Sequence, residues 1–154
     1  MTIRKSITGN IMHYSDDSTG EDFTAYRLTN KTGGASVYGE LVEASSGTDK
    51  AFDQCSADAV DCIGVCVEAG IADASEAWVA FAGKVRVLLK DSTAATRDYW
   101  VYVSDTAGRA DATNAAPPGG TVAALEIHLG EIGHALESVT AGTDELCLIT
   151  IHFN

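Results

Sequence analysis

The chain is expected to adopt an all-β fold, mainly strand with at most one short helix, and three observations predict it. From Tyr26 onward the apolar runs are short and separated by small-residue turns. The run "EAWVAFAGKVRVLLKD" alternates most clearly: Val79, Phe81, Val85, Val87 and Leu89 point one way, Lys84, Arg86 and Lys90 the other. The segment "CIGVCVEAG" is rich in valine and broken by glycine, which reads as a further strand.

Taken in order, residues 1–25 read as an extended N-terminal arm, and residues 26–154 as a single β domain. The arm spaces Ile3, Ile7 and Ile11 as a helix could use them, but Thr2, Thr8, Gly9 and Asn10 are poor helix residues. In "ASVYGELVEA", Val37 and Leu41 share one face and Tyr38, Glu40 and Val42 the other. "SSGTDKAFDQ" reads as a loop carrying one aromatic. Within the long alternating strand, Gly83 is placed to mark a bulge. "DYWVYVS" is apolar on both faces and is expected deep in the sheet. "GRADATNAAPPGG" reads as a turn-rich loop. "TVAALEIHL" suits a short helix ended by Gly130, with a helix through 122–136 as the competing reading. "EIGHALESV" and "ELCLITIHF" then form two strands joined by the turn "TAGTD".

With 154 residues and 45% apolar content, the chain can build one hydrophobic core. No apolar run approaches the roughly 18 residues that cross a bilayer, so no membrane partner is expected. The start, "MTIRKSITGNIMHYSDD", lacks the apolar centre of a secretory signal. The expected locations are the cytoplasm in which the chain is made, or an assembly released when the cell breaks open. Ten basic residues stand against 22 acidic ones, a net charge of −12. Such a surface repels phosphate backbones, so nucleic acid is not an expected partner.

No residue pattern demands catalysis, a metal or a cofactor. On a strand, Cys62 and Cys66 share a face about 13 Å apart at ~3.3 Å per residue, too far for a disulfide or one shared zinc ion. Cys55 and Cys147 lack metal-site spacing, so all four thiols read as free packing residues. His128 and His134, with Glu126, Glu131 and Glu137, resemble a ligand set, but five intervening residues fit neither a helical nor a strand pair. Surface or interface histidines are the better reading. His152 belongs to the closing strand, and His13 to the arm. "APPGGT" has no lysine for a nucleotide loop, and no serine sits in a G-x-S-x-G elbow.

The strings "TNKTGGASVYGELVEAS", "IGVCVEAGIADASEAWVAFAGKVRVLL", "ADATNAAPPGG" and "EIGHALES…ITIHFN" together resemble the capsid decoration, or cement, proteins of tailed bacteriophages. The likeness runs from about Leu28 to Asn154 and leaves the arm unmatched. It implies a compact β-barrel or β-sandwich-like domain that forms a homotrimer on the outer surface of the head. It further implies a structural protein of the virion, not an enzyme, that clamps neighbouring subunits of the major capsid protein. In this family an arm often reaches an adjacent subunit, which makes Ile3, Ile7, Ile11, Met12 and Tyr14 the candidate contacts. The arm is expected to be mobile until a partner surface buries it.

Two other classes compete. A receptor- or glycan-binding module of a phage tail or fibre would expose Trp78 or Trp100 on a groove. A small hydrolase or metal enzyme would use His128, His134 and Glu131.

Overall fold

The computed structural model describes residues 2–115 and 129–153, and it is all-β as expected. The strands are β1 (Ile3–Thr8), β2 (Ile11–Asp16), β3 (Glu21–Asn30), β4 (Leu41–Ala44), β5 (Ala51–Gln54), β6 (Cys62–Cys66), β7 (Glu76–Leu88), β8 (Trp100–Val103), β9 (Ala110–Thr113), β10 (Glu131–Ala135) and β11 (Leu146–Ile151). Five of them, in the order β3-β5-β4-β6-β7, close into a barrel because β7 pairs back onto β3. The other six lie outside the ring. β2 and β1 extend β3, while β11, β10, β8 and β9 extend β7.

Both arrangements depend on two long strands. β3 and β7 run antiparallel over eight residue pairs, from Asp22 opposite Lys84 to Thr29 opposite Glu76. Each changes its other neighbour part-way. β3 pairs with β2 from Glu21 to Tyr26 and with β5 only at Thr29 and Asn30. β7 pairs with β6 at Val79 and Ala80, then with β11 from Gly83 to Leu88.

Between the two halves of β7 the register shifts. Thr24 faces Ala82 and Ala25 faces Ala80, which leaves Phe81 as the extra residue of a β-bulge. One inserted residue reverses the side on which every later side chain falls. The single face expected for this strand is therefore split. Ala77 and Val79 pack in a smaller core, whereas Trp78, Ala80, Val85, Val87 and Leu89 pack in a larger one. Phe81 joins neither and stacks on Tyr26, ring centroids 3.8 Å apart.

The smaller core fills the barrel. Leu28, Val42, Phe52, Cys66 and Val79 enter it, one from each strand of the ring. The larger core lies where Phe23, Leu41, Val65, Trp78 and Ala80 of the ring strands meet Met12, Val101, Ile132 and Ile149 of the added strands.

Several expectations change in detail. The "AFDQ" read as loop is strand β5, because Phe52 is fully buried in the barrel. β9 runs inside the stretch read as a turn-rich loop. β8 alternates, with Val101 and Val103 buried and Trp100 and Tyr102 half-buried, and lies next to the edge strand β9 instead of deep in the sheet. β10 and β11 form the expected hairpin. A helix through 136 is therefore ruled out, and the short helix expected over 121–129 falls almost wholly outside the described residues.

The cysteine reading changes as well. Glu43 pairs with Cys62 and Val42 with Gly64, so Ile63 is a second bulge. Cys62 consequently packs against the larger core while Cys66 enters the barrel, on opposite faces. All four thiols are free.

Gly83 sits just past the first bulge with φ 105°, where an added Cβ would collide with the carbonyl oxygen of Asp22. Gly83→Ala should lower the unfolding free energy in urea titration by about 2 kcal/mol or more. Gly47→Ala, with open space around it, should stay within ~0.5 kcal/mol of wild type.

Candidate docking surface and a histidine–glutamate cluster

The N-terminal segment is a β-hairpin and not a loose arm. Thr8 pairs with Ile11 across Gly9 and Asn10, and Gly9 takes φ 60°. Gly-Asn between two strands is a hairpin turn signal, and it was present in the sequence. A second turn follows, in which Asp16 Oδ1 accepts hydrogen bonds from the Ser18 backbone NH at 2.8 Å and hydroxyl at 2.6 Å. These bonds hold the Asp16 carboxyl below its usual range. β3 then begins at Glu21, so the division expected at 25/26 falls inside a strand.

The five candidate contact residues separate. Ile3 and Ile7 are exposed on β1, and Ile11 is exposed at the start of β2. Met12 is buried in the larger core, and Tyr14 packs against that core with its ring stacked on Phe23 at 4.9 Å. Ile7 lies opposite Met12 and Ile3 opposite Asp16, so both isoleucines continue the core-facing side of the sheet beyond its buried part. Ile11 lies opposite Tyr26, on the other side of the sheet. Every residue of β1 is exposed, and β1 pairs only with β2 among the described residues.

The second feature lies at the far end of the sheet. Glu131 and His134 are on β10, and His152 follows β11. Glu131 faces Tyr102 and Gly133 faces Val101, which makes Ile132 the extra residue of a third bulge. That insertion puts Glu131 and His134, three apart, on one side. Gly133 lets β11 approach closely, since an added Cβ would collide with the Thr150 carbonyl oxygen. His152 donates its backbone NH to the Ile132 carbonyl at 2.9 Å.

As a result, Glu131 Oε1 lies 2.9 Å from His152 Nε2 and 3.6 Å from His134 Nε2. Trp100 packs on the His134 ring at 4.4 Å. The spacing of His128 from His134 concealed this grouping, because the imidazole that meets His134 is His152 on the partner strand. The E-x-x-H string, paired with the terminal H-F-N across a hairpin, was the available signal. His128 lies outside the described residues.

Other candidates resolve differently. Trp78 is buried beneath Arg27 and offers no ring face to a sugar. Arg86 and Lys90 pair with Glu137 and Asp105, each at 2.6 Å. A cavity of ≈ 580 Å³ is lined by Tyr38, Glu40, Gln54, Leu88, Arg109 and Leu146, among others. No protein-family model matches this chain, and no curated protein matches it.

Two measurements test these environments. Burial pushes the Cys66 thiol up to about 11 and the Cys147 thiol up to about 12. Cys55 is raised by its hydrogen bond with Cys62 and by burial. With a chromogenic thiol reagent near neutral pH, only half-buried Cys62 should react in the native chain, and the other three only after denaturation.

Desolvation, opposed by the hydrogen bond from Gln54, raises the Glu40 carboxyl above its usual range. A carboxyl raised in the folded state favours folding while protonated, and that contribution is lost as pH rises through the folded-state value. Glu40→Gln should therefore melt above wild type at neutral pH and match it at about pH 3, below the unfolded carboxylate range.

Proposed function

We propose that this chain is a structural virion protein that binds the outer surface of a tailed-phage capsid. It would act as a homotrimer, stabilising the shell by clamping neighbouring subunits of the major capsid protein. The observation that most supports a docking role is β1, an edge strand exposed along its whole length and carrying Ile3 and Ile7. The resemblance in the rest of the chain supplies the partner, and the hairpin supplies a mode of contact.

An open strand edge recruits backbone hydrogen bonds from a partner strand, and apolar side chains on it add burial. Each isoleucine contributes about 1.5–3 kcal/mol when fully buried. Because β1 is already hydrogen-bonded to β2, docking it orders fewer residues than capturing a mobile arm. The acidic balance, −12 overall, suits the exterior of a DNA-filled shell. Arg86 on β7 and Lys90 just beyond it are each paired with a carboxylate, Glu137 and Asp105.

The double substitution Ile3→Lys with Ile7→Lys tests this reading. Both side chains are exposed, so the melting temperature should shift by no more than about 2 °C. Attachment to expanded heads of the parent phage, measured by co-sedimentation, should weaken by at least about 10-fold. Unchanged attachment would remove β1 from the interface. Deleting residues 2–14 is not an equivalent test, because it strips β2 from β3 and Met12 from the core.

A further inference from the structure

The geometry points to a binding site for one divalent transition-metal ion, of which zinc is the representative, held by Glu131, His134 and His152. One ligand atom from each residue lies within 4.8 Å of the other two. Bonds of about 2.0–2.2 Å, at angles between octahedral and tetrahedral, place neighbouring ligand atoms about 2.9–3.5 Å apart. The separations of 2.9 and 3.6 Å from the Glu131 oxygen to the two Nε2 atoms lie close to that range. The ligand atoms, all within 4.8 Å of one another, would draw closer around a bound ion.

The donor set selects the class of ion. Two imidazoles with one carboxylate suit zinc and its first-row neighbours, whereas calcium and magnesium favour all-oxygen sites. Three protein ligands leave at least one position open, and the site has an outlet for it. Glu131 is buried at the floor, while the His152 side chain is 42% exposed at the mouth. Trp100 covers the His134 ring on one side. His134 Nδ1 is buried and makes no hydrogen bond to another described residue, so that nitrogen does not commit the ring to holding a different element.

Without an ion, the two imidazole Nε2 atoms simply face the same Glu131 carboxylate oxygen, His152 at 2.9 Å and His134 at 3.6 Å. A metal ion would be held by neutral rings ligating through Nε2, each with its single proton on Nδ1, and any second proton on a ring would pass to solvent on binding. The ion then ties the end of the chain to β10. Phe153, next to His152, already packs against the larger core. The site is independent of the docking surface on β1, at the opposite end of the strand order.

The test uses the full chain, stripped with a chelator and dialysed. Zinc titration by calorimetry at neutral pH should show saturable binding of one ion per chain, and cobalt(II) should give the visible absorption of a nitrogen- and oxygen-ligated site. His134→Ala and His152→Ala should each weaken zinc by more than the about 10–100-fold typical of losing a mere supporting residue. His13→Ala should leave it unchanged, since His13 lies on β2 hydrogen-bonded to Thr24. Should an alanine variant fail to fold by circular dichroism, the wild-type chain still decides. Long-range proton–nitrogen spectra should show two of its four imidazoles shifting on zinc addition. The proposal is overturned by absence of saturable binding, by folded His134 and His152 variants that bind like wild type, or by binding that leaves the His134 and His152 rings unshifted.

Discussion

The antiparallel pairing of β3 with β7 is the constraint on which the rest of the molecule depends. Those eight residue pairs close the ring, and the same two strands carry every strand that lies outside it. Closure satisfies the backbone groups of the barrel strands, since each ring member finds a neighbour on both sides. The bulge at Phe81 lets one strand serve two cores. Val79 faces the barrel interior before it, and Val85 and Val87 face the larger core after it.

Bulges recur where the chain needs side chains of the wrong parity on one face. At Ile63 a bulge sends Cys62 and Cys66 to opposite sides of β6. At Ile132 another brings Glu131 and His134 to the same side of β10. Each adds one unpaired residue and reverses the alternation beyond it. The histidine–glutamate cluster is therefore a product of strand irregularity combined with hairpin register, and not of regular spacing along one element.

The two ends of the strand order are finished differently. At one end β9 is tied back, with Ala110 bridging to Leu89 and accepting a hydrogen bond from Lys90. Arg109 beside it engages Asp91 at 2.9 Å. At the other end β1 presents an open edge with isoleucines at its two ends, moderated only by Arg4 and Lys5. Charged residues on an edge discourage indiscriminate pairing without preventing pairing to a matched partner. That asymmetry is what makes the N-terminal hairpin the candidate contact.

The sequence by itself determined the all-β class, the strands β6, β7 and β11, and the β10–β11 hairpin. These follow from composition and two-residue alternation, which are local properties of the chain. Gly9-Asn10 and "AFDQ" carried weaker local signals, and their strands were read as arm and loop because neither is amphipathic over enough residues to stand out. Only the tertiary structure decided which residues share a face. A bulge is invisible to alternation when both neighbours are apolar, as at Ala80 and Phe81. Likewise, nothing in the spacing of His134 and His152, eighteen residues apart, reveals that their rings meet. That meeting is set by the register between two strands, and register is fixed by burial across the whole sheet and not by either strand alone.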